Sequence, residues 1–250
     1  MLAAKSVASY GEAPFMVLFL LGGLGPTISS YLSFWVLQDK DGLREYHTCL
    51  FRWRLSIFWY VVPFVISFGV PLIADGAFRL FTNSSGAVQN IKSWFMVFTL
   101  FATMVFGGGL EELGWRGIAL PELEKRYSPL PSSIVLGLVW VIWHVPLFFI
   151  KGVSQYGNNV FVFALGVLGL TFILSWIYNQ TDSIFICIIF HSSFNTAAAM
   201  GFGSILVKSD EMIKGMATSL LLIIVGLLLL TFSKGKGSNR RIDAIPPLRF

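Results

Sequence analysis

Charge is scarce in this sequence. Only 12% of its 250 residues are Asp, Glu, Lys or Arg, about half of what a soluble domain carries. With 55% hydrophobic residues, that scarcity argues against a soluble globular fold and for a polytopic membrane protein. Cysteine is scarcer still. Cys49 and Cys187 are the only two, too few for a disulfide framework, and Cys187 lies in an apolar run that suits a buried thiol. The sequence has no HExxH zinc helix and no glycine-flanked serine elbow. It has no long-period repeat and no polar stretch large enough for an extramembrane domain. No small-residue cleavage site follows the first apolar run, so that run reads as a retained span. The net charge of +5 sits mainly in loops and the tail. That placement fits membrane orientation and anionic lipid contact, and gives no reason to expect a nucleic-acid partner.

What is present in abundance is apolar runs of membrane-crossing length. They predict an all-α, polytopic transmembrane helical bundle of about seven spans, with eight possible. The expected spans are 14–37, 53–74, 93–120, 132–150, 160–178, 183–207 and 213–232. The first is bent near Gly25 and Pro26, the second contains Pro63 and Pro71, and the third stops at Pro121. Residues 38–54 hold basic groups among aromatics and read as an interfacial segment. Residues 75–92 read as a polar loop and His47 as a loop residue without a role. The whole chain reads as one membrane domain, 1–250, with a core at about 93–207 and a basic cytoplasmic tail at 233–250. Asn83-Ser84-Ser85 is a sequon of the sort that arises by chance. Seven spans leave 6 Lys and Arg on the amino-terminal side and 12 on the other. The amino terminus is then expected outside and the carboxyl terminus in the cytoplasm.

One stretch breaks the apolar pattern: FGGGLEELGWRGIALP, residues 106–121. A charge near the bilayer centre costs about 2.5–3.5 kcal/mol on insertion scales, and Glu111, Glu112 and Arg116 stand within six residues. Glu112 and Arg116 are four apart and can pair on one helix face. Glu111 is rotated by about 100° to face another neighbour. Gly107, Gly108 and Gly109 permit close helix approach or a local break. Taken blandly, the three charges only close a helix end with a salt bridge.

Two later spans carry isolated polar groups. His144 is the only ionisable side chain of span four, and Pro146 frees the carbonyl of Ile142. His191 and Asn195 share a face of span six. Read conservatively, His144 is a hydrogen-bonded packing residue, and His191 and Asn195 are an interhelical pair. Ser192 and Ser193 are expected to bond back to their own helix. Depth allows more. Glu111, His144 and His191 lie about 15, 19 and 13 Å from the same membrane face at 1.5 Å per residue. Groups at one depth on three helices can form a single hydrolytic pocket within the bilayer.

The string EELGWR resembles the EExxxR motif of the CAAX-protease and bacteriocin-processing family of intramembrane proteases. The surrounding EELGWRGIALPELE is similar to that family beyond its charged positions. The family's FxxxH motif falls on Trp140 to His144, with tryptophan in place of the usual phenylalanine. That is one aromatic for another, expected to affect ring packing more than chemistry. The HxxxN motif falls on His191 and Asn195. All three occur in order across roughly residues 106–200.

The resemblance implies peptide-bond hydrolysis inside the membrane. In that reading Glu111 is the general base, acting on a water held between it and His144. His191 and Asn195 donate to the oxyanion. Glu112 and Arg116 pair in support. Zinc bound by Glu111, His144 and His191 is the metal-dependent alternative, and metal-free catalysis is favoured. The implied partners are membrane lipids and a peptide or lipidated protein entering from the membrane. The competing readings are a proton- or solute-coupled transporter or sensor, and a catalytically silent immunity or scaffold member of the family.

Overall fold

A computed structural model describes residue 17 and residues 21–82, 91–208 and 211–232. The sequon at Asn83, the basic tail at 233–250 and the start of the first expected span lie outside these residues. Among the described residues the ordered elements are helical. They are α1 (Gly25–Leu37), α2 (Lys40–Leu50), α3 (Phe58–Thr82), α4 (Met96–Phe106), α5 (Leu120–Glu124), α6 (Pro129–His144), α7 (Val160–Thr181), α8 (Ile184–Met200) and α9 (Met212–Phe232). Five described stretches are long and apolar enough to cross a membrane: Phe58–Phe81, Met96–Glu124, Pro129–Phe149, Val160–Thr181 and Met212–Phe232. With α1 and the shorter apolar α8, they form an all-α bundle consistent with about seven spans.

Helix α7 is the centre of that bundle. Nearly all of its side chains from Val167 to Ile177 are buried, and it packs on α6, α8 and α9. Its contact with α9 is backbone-close. A methyl on Gly226 would stand 2.7 Å from Phe172 Cβ and 3.0 Å from the Gly169 carbonyl. Small residues let membrane helices approach in this way without a hydrophobic drive between them. Asn159 caps the start of α7 by accepting from the Phe161 and Val162 amides. Asp182, in the left-handed conformation at φ 50°, ends it.

Helix α8 follows at once. Ser183 accepts from the Ile186 amide, and its hydroxyl donates to the Arg52 carbonyl at 2.7 Å. Arg52 in turn pairs with Asp182 at 3.1 Å. The strap between α2 and α3 therefore grips the α7–α8 turn. This is why span two begins at Phe58 and not at residue 53.

Other boundaries move for equally local reasons. Helix α3 continues to Thr82 through the stretch expected as loop. Asp75 pairs there with Arg79 at 2.7 Å and with Lys214 of α9 at 3.2 Å, so its charges are satisfied within a helix. Helix α8 stops at Met200, seven residues short of its expected end. Gly201 takes φ 100°, and its amide and that of Phe202 return to the carbonyls of Ala198 and Ala197, a glycine C-cap. Pro121 does not end span three: the helical stretch runs on through it to Glu124. His47 lies on α2 and not in a loop.

Candidate active site

The backbone comes first. Helix α4 ends at Phe106, and Gly108 takes φ 143°, a conformation side chains strongly disfavour. A 3-10 turn (Gly109–Glu111), one α turn (Glu112–Gly114) and a π turn (Trp115–Ala119) lead into α5. A break inside a membrane leaves carbonyls that water cannot reach, so protein donors must serve them. Thr27 of α1 donates to the Leu110 carbonyl at 2.7 Å, and Tyr46 of α2 to that of Leu113 at 3.3 Å. Burial raises the Tyr46 phenol well above its ordinary range, against a lowering contribution from its bond with Ser30. It therefore stays protonated and able to donate. The remaining glycines admit neighbours. Gly109 is pressed on Ser192 of α8, and Gly114 on the Pro26 backbone of α1.

On this scaffold the side chains meet around Trp140, which is 2% exposed. Its indole N–H donates to Glu111 Oε2 at 2.9 Å, and that of Trp115 donates to the same oxygen at 3.2 Å. Glu112 and Arg116 are fully buried. Arg116 Nη1 lies 2.9 Å from Glu112 Oε2 and donates to Oε1 at 3.0 Å. The guanidinium carbon rests 4.9 Å from the centre of the Trp140 ring, a desolvated cation–π contact. His191 Nδ1 meets Glu112 Oε1 at 2.8 Å, and its ring stands edge-on to Trp140 with centroids 5.2 Å apart.

The other two expected residues join at the margins. His144 Nδ1 meets the Trp140 carbonyl at 3.0 Å, and its ring lies 6.1 Å from the Trp140 ring. Asn195 Nδ2 reaches the Gly107 carbonyl at 3.5 Å. The open face of Gly108 lies beneath both Asn195 and His191. A methyl there would stand 2.7 Å from Asn195 Nδ2 and 2.9 Å from His191 Nε2.

Partners set the proton positions. A carbonyl only accepts, so His144 Nδ1 carries hydrogen and its Nε2 presents a lone pair when neutral. The Glu112 carboxylate likewise places hydrogen on His191 Nδ1. His191 can donate from Nε2 only as imidazolium, and Glu112 is the adjacent counter-ion for that form. Among the described residues no three His, Cys, Asp or Glu side chains are gathered as a metal-binding group.

The family comparison agrees with the motif resemblance. Residues 92–197 match the model of the Type II CAAX prenyl endopeptidase Rce1-like family. A curated relative, CAAX prenyl protease 2 of Methanococcus maripaludis, is 28% identical over 211 residues, covering 77% of this chain and 75% of the relative. Residues 92–197 are thus similar to the Rce1-like family. The chain is accordingly a multi-pass integral membrane protein.

Every motif residue considered above lies within the Rce1-like segment. So do Trp115 and Trp140, whose part in the site sequence reasoning missed. Trp140 was expected to affect ring packing more than chemistry, and its N–H reaches the carboxylate of Glu111. The available signal was its place four residues before His144, on the same helix face. Thr27 and Tyr46 lie outside the segment and had no comparable signal, because the carbonyls they serve exist only once the helix is broken.

Proposed function

We propose that the chain is an intramembrane endopeptidase that hydrolyses a peptide bond of a prenylated or otherwise membrane-associated substrate. The observation that carries this reading is the convergence of two nitrogens, Asn195 Nδ2 and His191 Nε2, over the side-chain-free face of Gly108. Donors preset around such a space are what a tetrahedral oxyanion requires. Glu111 is the general base, and His144 Nε2 helps to orient the water between them. His191 and Asn195 hold the oxyanion. Glu112, bonded to both Arg116 and His191, holds the His191 ring with Nε2 towards the face of Gly108. No metal is needed in this scheme. The family description and the relative's name favour a prenylated carboxyl-terminal peptide as substrate. In the proposed orientation the amino terminus is outside and the carboxyl terminus cytoplasmic.

The test is cleavage of a farnesylated peptide by the purified chain in lipid nanodiscs. Glu111→Gln keeps shape and removes the base. Its rate is expected to fall by about 10²–10⁴-fold. Cleavage by that variant at the unaltered rate would defeat the assignment.

A further inference from the structure

We infer that Trp140, with Trp115, positions Glu111 for the reaction by engaging only one of its two carboxylate oxygens. This rests on the proposed role of Glu111 as base and goes beyond it by assigning the reacting atom. Both indole N–H groups are directed at Oε2, at 2.9 and 3.2 Å. An indole nitrogen can only donate, so neither contact competes for the proton that the base must take. Among the described residues no hydrogen-bond donor is placed on Oε1. The carboxylate is therefore held by one oxygen and reacts through the other.

The two donors come from different elements, Trp115 from the π turn and Trp140 from α6. Together they fix the rotation of the carboxylate as well as its position. Trp140 also orders its neighbours, since Arg116 lies over its face and His191 against its ring. Those two contacts need only an aromatic ring. The bond to Glu111 needs the indole N–H. One substitution separates them.

The step assigned to Oε1 balances. A water O–H bond breaks and its proton passes to Oε1. The water oxygen bonds to the scissile carbonyl carbon, and the C=O electron pair moves onto the carbonyl oxygen, between His191 and Asn195. When the intermediate collapses the C–N bond breaks, and the proton on Oε1 passes to the departing nitrogen. Oε2 stays bonded to the indoles throughout. The geometry that serves the base also serves the acid.

The experiment measures kcat and KM for the full chain in nanodiscs with the farnesylated peptide. Trp140→Phe is expected to lower kcat about 10- to 100-fold, the worth of a hydrogen bond to a charged group, with KM within about twofold. Trp115→Phe, whose bond is longer, should lower kcat less. In a Glu111→Gln background Trp140→Phe should cause no further loss, because a residue that acts through Glu111 has nothing left to position. An unchanged kcat for Trp140→Phe would overturn the inference, as would an equal loss in both backgrounds, which marks a purely structural role. Failure of the unsubstituted chain to cleave the peptide would instead remove the proposed function itself. If Trp140→Phe does not fold, a benzothiophene analogue of tryptophan at position 140, with sulfur in place of N–H, carries the same comparison.

Discussion

Two places in this molecule are built from the same local device. Asp75 and Arg79 on α3, and Glu112 and Arg116 in the broken span, are each a carboxylate and an arginine four residues apart. Each carboxylate also takes a partner from a distant helix, Lys214 at 3.2 Å and His191 at 2.8 Å respectively. Their surroundings differ. The Asp75 and Arg79 side chains keep 13% and 25% of their exposure, whereas Glu112 and Arg116 keep none. The third partners differ too. A lysine ammonium is a fixed charge that braces α3 to α9. An imidazole can gain or lose its charge, so the buried pair controls a group that can take part in chemistry. Spacing brings two charges together, but burial and the third partner decide what the pair does.

The widest separation between the regions should come from removing each arginine. Arg116→Met leaves Glu112 buried with its main counter-charge gone. The expected cost is about 3–5 kcal/mol, the usual result of breaking a buried pair. Thermal unfolding in detergent would read it. A loss below about 1 kcal/mol would show that water reaches the pair freely and that the contrast in burial is not functional.

A smaller effect separates two glycines, one in each region. Gly108 has φ 143°, and Gly203, which lines a small pocket together with Asp75, Arg79 and Lys214, has φ 65°. A methyl on Gly203 would meet Pro71 at 3.0 Å, a structural contact. A methyl on Gly108 would intrude between Asn195 and His191. Gly108→Ala should therefore lower kcat by about 10²-fold, the scale of an ångström's misplacement in a site. Gly203→Ala should leave kcat near its starting value. Equal kcat for the two variants would erase the distinction between site and brace.

How much of this was legible in the sequence differs between the same two regions. At the buried site the three motifs, their order and their common depth were readable, as was the need for the glycines. The direction of the indole N–H groups of Trp115 and Trp140 was not, because it depends on ring rotamers set by three packed elements. The π turn at Trp115–Ala119 also escaped detection, since its hydrogen bonds shift register without changing composition. In the other region, Asp75 and Arg79 looked like the start of a loop. Only Lys214, far along the chain, makes a helix there inexpensive. The end of α8 at Gly201 was marked by its glycine, but apolar residues beyond it argued for a longer span.

The smallest expected effect tests the brace. Arg79→Met removes one partner of Asp75, but Lys214 remains 3.2 Å from its other oxygen. Asp75 is therefore not stranded, which is the condition that makes loss of a buried partner so costly. Arg79 and Lys214 also keep part of their exposure, so water can replace what is lost. Partly exposed pairs contribute about 0–1 kcal/mol, and the variant should unfold within that range of the unsubstituted chain. Peptide cleavage should not change, since none of the groups proposed for chemistry touches Asp75 or Arg79. A loss as large as that expected for Arg116→Met would mean that local spacing, and not burial, sets the worth of these pairs.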